Sequence, residues 1–323
     1  MEEAKLTNQM LLEKTKGLEV LRKKARNRLL ISLSLLGVIV PFSIAILINT
    51  RTHISFWILL GMLILYLGAL SIFFTWAYSA VKKYKTQFKE QVVREIILHH
   101  NPEWTYSPDS YIPEEVYANS ELFKHSYSRY NGDDYIIGIE GKTRFAFSEL
   151  HTQYKTQTNS NGSKRTQYHT IFKGLFLFAD FNKAIKGKTF VFPDTMQSLL
   201  GKFGQKLQSW NHQHGKLVKL EDQEFEKHFV VYSDNQIEAR YILTPKIMEN
   251  LVAFRKKWGH KVFLSFIGTR MYFAVSMLQN LFEPRIFSSG MKQRDLDQMK
   301  SLLALVSDII QEMDLNTRIW TVK

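Results

Sequence analysis

The chain has 323 residues, of which 45 % are hydrophobic and 23 % are charged, and its formal net charge is +13. Residues 29–78 contain one charged residue, Arg51, and this concentration of apolar residues excludes a simple soluble enzyme and a disordered chain. The absence of cysteine excludes a disulfide scaffold, thiolate metal sites and a cysteine nucleophile.

Two uncharged stretches, residues 29–48 and 54–78, predict a transmembrane helical hairpin. At about 1.5 Å per residue, each can cross a hydrocarbon core of about 30 Å. A buried core helix is the alternative, but two such stretches in close succession favour the membrane. A cleaved signal peptide does not fit, because 28 residues precede the first stretch and the second follows at once. We expect a basic, amphipathic cytoplasmic segment over residues 1–28 and a transmembrane hairpin over 29–78.

The basic residues around the two stretches predict their orientation. Nine lysines and arginines flank the spans, whereas the loop between them has only Arg51. Because positively charged flanks stay in the cytoplasm, both termini and the large domain are predicted to be cytoplasmic. The juxtamembrane positions assigned to the inner surface are Arg26, Arg28, Lys82, Lys83 and Lys85.

The rest of the chain predicts a juxtamembrane helix over 79–100 and an α+β domain over 101–323. Residues 143–181 alternate as one long hairpin around a polar loop, and Gly268-Thr269 is expected to form the turn of a second hairpin. Shorter strands are predicted at residues 188–192, 225–232, 261–267 and 271–277, and helices at 199–210, 245–257 and 294–313. The expected fold is a mainly antiparallel sheet with a long C-terminal helix.

Two segments of this domain, FKGLFLFADFN at 172–182 and LEDQEFEKHFVVY at 220–232, resemble a family of uncharacterised bacterial membrane proteins. That family is defined by a domain of unknown function behind two N-terminal transmembrane helices. The resemblance therefore implies a multi-pass protein of the bacterial inner (plasma) membrane, and it implies no reaction. Some family members are encoded beside LemA-type membrane proteins, so a LemA-type protein is an implied partner. The residues that carry the resemblance are Lys173, Gly174, Phe176, Asp180, Phe181, Asn182, Phe225 and Phe229.

Common catalytic motifs are absent from the sequence. It contains no GxGxxG fingerprint, Walker phosphate loop, HExxH zinc motif or GxSxG elbow. The adjacent acids Asp133-Asp134 and the histidine pairs are interpreted as turn or cap residues rather than as a metal or acid–base site. We therefore predict no catalytic residue, no metal ligand and no cofactor.

The positive charge is concentrated in residues 142–219, which carry 13 basic and 3 acidic residues. Such a surface is attracted to anionic lipid headgroups by about 1 kcal/mol per basic residue. Nucleic acid attracts the same side chains, but the membrane anchor favours lipid over nucleic acid, and a merely solvated basic face is a further alternative. The positions expected to be exposed, at the hairpin loop and at a turn before the next strand, are Lys164, Arg165, Lys183, Lys186 and Lys188.

Three functional hypotheses follow from these observations. The first is a non-enzymatic interaction or scaffold module, anchored in the bilayer and working at its cytoplasmic face. The second is an anionic-lipid-binding domain that uses the basic surface of 142–219. The third is an enzyme with a site that no known motif marks.

Overall fold

The computed structural model of the protein describes residues 13, 16–49, 56–123, 126–160, 163–195, 214–278, 280, 282–288 and 293–319. The chain divides into two units. One consists of Met1–Ile96 with Phe282–Leu296, and the other of Ile97–Leu281 with Asp297–Lys323.

Two long antiparallel helices dominate the first unit, α1 (Glu19–Asn49) and α2 (Phe56–Phe88). Arg28 Nη1 donates to the Trp76 carbonyl at 3.3 Å, and one turn further along α1 Ser32 Oγ donates to the Phe73 carbonyl at 3.1 Å. A π-helical turn, Lys89–Val93, then connects α2 to α3 (Arg94–His100). The helix predicted over 79–100 is thus the end of one long continuous helix.

One helical stretch in the described part of the chain, Leu63–His100, is long and apolar enough to cross a membrane by length and composition. Only 6 % of its most apolar window is buried within the protein, which is unlike the core helix of a soluble domain. Helix α1 includes the first predicted span, residues 29–48, but its side chains beyond residue 37 lie outside the described part. The two-span hairpin therefore stays a prediction.

The second unit is built on a seven-stranded antiparallel sheet in the order β1-β2-β3-β4-β6-β5, with β7 also paired to β4. The strands are β1 (Thr105–Ser107), β2 (Arg129–Glu140), β3 (Thr143–Ser160), β4 (Ser163–Pro193), β5 (Lys216–Val218), β6 (Phe229–Ser233) and β7 (Lys261–Ser276).

The central strand is β4, which is 31 residues long. Between Gly174 and Asp180 it has β3 on one edge and β7 on the other. Towards Pro193, β6 takes the place of β3, while β7 continues along the opposite edge after register shifts. One strand thus organises most of the sheet.

The described residues after α3 form five further helices: α4 (Glu114–Asn119), α5 (Gln223–Glu226), α6 (Gln236–Ile242), α7 (Pro245–Trp258) and α8 (Gln293–Ile319). The ends of α7 follow from its sequence. Thr244 Oγ1 accepts from the Ile247 amide at 3.3 Å, and Gly259 ends the helix in the left-handed conformation with φ of 71°. An aromatic core lies on one face of the sheet and includes Tyr117, Phe172, Phe176, Phe190, Phe192 and Tyr272.

The predicted α+β class with a mainly antiparallel sheet is confirmed, whereas several element boundaries were wrong. Residues 261–277 do not form a hairpin, because Lys261–Ser276 is one strand that pairs along β4 on both sides of Gly268. Residues 188–192 belong to β4 itself, so no separate strand forms there. The predicted strand 225–232 begins as the helix α5, and the predicted helix 199–210 lies outside the described residues.

Candidate functional site

The β3–β4 hairpin extends beyond the rest of the sheet. Pairing between β2 and β3 ends at the Arg129–Gln153 pair, and pairing between β4 and β7 ends at Gly174–Ser276. Beyond these positions, residues 154–160 and 163–169 pair only with each other among the described strands. We call these residues the arm; at about 3.3 Å per residue it is roughly 23 Å long.

The arm exposes both of its faces. Its described side chains are exposed over residues 155–159 and 164–168, and Tyr154 and His169 at its base are half-buried. These two rings stack with centroids 5.0 Å apart and planes inclined by 24°, and His169 Nε2 lies 2.9 Å from Thr156 Oγ1. The base is thereby ordered by local contacts, although a two-stranded ribbon gains little stability from its own pairing.

The strand register determines which arm residues share a face. Lys155 is opposite Tyr168, and four residues further along β3 Asn159 is opposite Lys164, so both lysines lie on the same side of the ribbon. Arg129, opposite Gln153 at the base of the arm, lies on that side too, and its guanidinium carbon is 3.5 Å from the centre of the Tyr168 ring. Arg165, opposite Thr158, lies on the other side.

The arm carries only positive charge. Residues 150–179 contain four lysines and arginines and no aspartate or glutamate. No acidic partner faces Lys155, Lys164 or Arg165 within the part of the chain that the structure describes. Lysines elsewhere do have such partners: Lys256 is 2.7 Å from Glu224.

Four of the five lysines and arginines predicted to contact an anionic surface have described side chains, and they lie in two places. Lys164 and Arg165 are exposed near the tip of the arm, whereas Lys186 and Lys188 lie about 20 residues further along the same strand, roughly 60 Å at the usual rise per residue. The side chain of Lys183 lies outside the described part. Lys188 Nζ is 2.6 Å from Glu121 Oε1, and the backbone amide of Lys186 donates to Glu238 Oε1 at 3.0 Å. Lys164 and Arg165 thus belong to the arm, whereas Lys186 and Lys188 lie at a different part of β4.

The basic residues predicted to be juxtamembrane lie near the start of α1 and near the end of α2, which are side by side in the antiparallel helix pair. Lys82 and Lys83 are exposed, and the Arg28 guanidinium lies over the Trp76 ring at 4.2 Å from its centre. Lys85 Nζ is 2.5 Å from Glu283 Oε2. Arg26 Nη2 donates to Asn27 Oδ1 at 3.4 Å.

The residues that carry the family resemblance are mostly structural in this fold. Gly174 has φ of 145°, and a Cβ there would overlap the carbonyl oxygen of Val275 on β7, so only glycine fits. Asp180 Oδ2 lies 3.8 Å from Arg270 Nε. Phe176, Phe225 and Phe229 are fully buried, and the side chains of Phe181 and Asn182 lie outside the described part.

A second polar site lies where β2, β3 and β4 meet. Oxygen atoms of Asp133, Asp134 and Glu149 lie within 4.8 Å of one another, a spacing that could hold a metal ion. Asp134 has no solvent exposure and Glu149 has 5 %. The Tyr106 hydroxyl donates to Asp134 Oδ1; burial, and next the Asp134 carboxylate, raise the pKa of Tyr106 well above its usual range. Tyr106 therefore stays a donor to this carboxylate.

Asp133 and Glu149 line a cleft of about 280 Å³, and His151 and Lys173 line it as well. Lys173 Nζ donates to the Leu278 carbonyl at 3.1 Å, and His151 Nε2 is 3.0 Å from Thr170 Oγ1. Burial, and next the Lys173 charge, lower the pKa of His151 from 6.5. Sequence reasoning missed this cleft because Asp133-Asp134 was interpreted as a turn. Both residues lie inside β2, and the register of β2 against β3 shifts between Asp133 and Ile136.

Comparison with known proteins adds a domain assignment. Residues 170–315 match the model of a family described as "Protein of unknown function (DUF3137)". The match covers most of β4 and the strands and helices that follow it, but it includes neither strand of the arm. No curated protein sequence matches the chain.

One solved structure is weakly similar to this chain. The crystal structure of the mycobacterial trehalose monomycolate transport factor A, TtfA, aligns with 64 % of this chain and 86 % of its own, at 8 % identity and a TM-score of 0.29. A TM-score this low does not establish a shared fold or a shared function.

Proposed function

We propose that this protein is a membrane-anchored interaction module and that the arm is the surface through which its α+β domain contacts a partner. The observation that carries the proposal is the arm itself. It is a ribbon with both faces exposed and both edges unpaired in the described part of the sheet, and proteins usually cover, shorten or charge such edges. A projecting basic ribbon is better suited to contacting a partner than to supporting the fold.

The anchor in this proposal is the predicted hairpin of residues 29–48 and 54–78, with both termini and the α+β domain in the cytoplasm. Large apolar side chains along α2 are exposed, among them Ile64 at 62 %, Leu65 at 76 % and Ile72 at 69 %. A continuous exposed apolar surface of this kind is typical of a membrane or protein contact. The basic flanks favour the cytoplasmic orientation.

Fusion of a reporter that is active only outside the cytoplasm tests the anchor. We expect no activity when the reporter follows Lys323 and full activity when it is inserted within residues 49–53. Activity at the C-terminus would contradict the cytoplasmic placement of the domain.

Site-directed photo-cross-linking in native membranes tests the arm. The chain has no cysteine, so Thr158→Cys, near the arm's tip, can carry the one photo-reactive label. Lys246→Cys on α7, an exposed position, is the matched control. We expect cross-linked adducts from the arm label well above those from the control, and mass spectrometry distinguishes protein from lipid adducts. Equal labelling from both positions would contradict a role for the arm.

A further inference from the structure

We propose that the partner of the arm is the anionic, phosphate-bearing headgroup surface of a lipid bilayer. This inference rests on the proposed function and adds the chemical class of the partner. The basis is the arrangement of positive charge along one side of the ribbon. Arg129, Lys155 and Lys164 follow one another on the same face, spanning roughly 20 Å at the rise of a strand.

The charges on the arm are available to an external anion. In the described part of the chain, neither lysine has an acidic partner, and Arg129 contacts the Tyr168 ring. Thr158 and Arg165 occupy the opposite face, so Arg165 adds a fourth positive charge to the ribbon without sharing the face of the other three. Residues 150–179 contain no aspartate or glutamate, so no acidic residue of this segment offsets the positive charge of the arm.

The composition of the arm indicates contact with headgroups rather than insertion into the acyl chains. The described side chains at its outer end are Thr156, Gln157, Thr158, Asn159, Lys164 and Arg165, and none of them is a large apolar residue. Binding by such a surface is electrostatic. Each lysine or arginine raises the affinity for the anionic bilayer roughly fivefold, and salt screens the attraction.

The aromatic residues of the arm favour lipid over single-stranded nucleic acid. Stacking of bases on open aromatic faces supplies much of the affinity of single-strand binders. One face of Tyr168 is covered by Arg129 at 3.5 Å, and Tyr154 is stacked on His169. A membrane anchor would in addition raise the effective concentration of a bilayer surface around the domain.

A vesicle titration of the full chain tests the assignment. The chain with Thr158→Cys carries an environment-sensitive fluorophore and is reconstituted in nanodiscs of phosphatidylcholine alone. Vesicles of phosphatidylcholine, or of an equimolar mixture with phosphatidylglycerol, are then added, and the label's response gives the partition coefficient. We expect partitioning only with phosphatidylglycerol, and its loss at 1 M salt, where the screening length is about 3 Å.

Charge-matched variants show whether the arm is responsible. Replacing Lys155, Lys164 and Arg165 by glutamine should lower the partition coefficient roughly 100-fold. Replacing three exposed lysines elsewhere, Lys216, Lys219 and Lys246, removes the same net charge and should lower it no more than a few-fold. Equal losses in the two variants would overturn the assignment to the arm.

Two further outcomes separate this inference from the proposed function. Equal partitioning into neutral and anionic vesicles, or a label that responds to single-stranded DNA more strongly than to phosphatidylglycerol, overturns the lipid assignment. Neither result contradicts an interaction role, since cross-linking from position 158 to a protein would still support it. Failure of the arm label to cross-link to anything would instead contradict the proposed function.

Discussion

The guanidinium carbon of Arg129 lies 3.5 Å from the centre of the Tyr168 ring, and this contact joins the start of β2 to the side of the arm. Both residues are exposed. Their attraction is therefore that of a solvated cation–π pair, which contributes about 0.5–1 kcal/mol.

A double-mutant cycle measures the coupling between these two residues. Arg129→Gln, Tyr168→Leu and the double variant are unfolded in urea as full chains in detergent, followed by circular dichroism of the sheet. We expect a coupling free energy of about 0.5–1 kcal/mol. Additive effects of the two single substitutions would show that the contact does not contribute to stability.

The buried hydroxyl of Tyr106 should contribute more to stability than an exposed one. It donates to Asp134, which has no solvent exposure, so Tyr106→Phe removes a donor from a buried carboxylate and should cost about 1–3 kcal/mol. Tyr111→Phe, at a residue that is 41 % exposed, is the control and should change the free energy of unfolding by less than about 0.5 kcal/mol. Similar losses in both variants would mean that the Asp134 carboxylate finds another donor.

The sequence is sufficient to predict the β3–β4 hairpin but not the pairing of β7. Alternation around a polar loop is a local signal, and the structure forms that hairpin. Gly268-Thr269 has the same local appearance of a turn. However, Gly268, with φ of 61°, is paired with Ile185 on β4 where that strand is itself irregular. Tertiary pairing thus overrides the local turn preference.

The acidic cleft could be predicted only in part. Asp134 has φ of 58°, a conformation that aspartate tolerates better than most residues, so Gly-Asp-Asp between β-rich stretches is a signal for a bulge as well as for a turn. The cluster also needs Glu149 from the neighbouring strand and Tyr106 from β1. Those contacts depend on strand register, which a single sequence does not specify at this position.

Gly174 should be much less tolerant of alanine than Gly259. Both have positive φ, but a Cβ on Gly174 would overlap the backbone of Val275, whereas a Cβ on Gly259 meets nothing within 4 Å. We expect Gly259→Ala to cost about 1 kcal/mol, the penalty of a left-handed residue. Gly174→Ala should cost about 3 kcal/mol or more, because β7 must move away from β4. Equal thermal unfolding temperatures of the two full-chain variants would contradict the close strand contact at Gly174.

The stability of the α+β domain should decrease on mild acidification, with a contribution from His260. Burial lowers the pKa of His260 from its ordinary 6.5, and the Gln298 amide donates to its Nε2 at 2.6 Å, a bond that the protonated ring cannot accept. The unfolded chain binds the proton more readily than the folded one. The stabilisation that neutral His260 contributes is therefore fully present above pH 6.5 and is lost as the pH falls towards the lowered pKa of the folded state. His151, whose pKa is also lowered, adds a change of the same sign. Urea unfolding of the full chain should therefore show that, between pH 8 and pH 5, His260→Gln loses less free energy of unfolding than the parent protein. An identical pH dependence in the two proteins would show that His260 gains its proton as easily in the folded state as in the unfolded one.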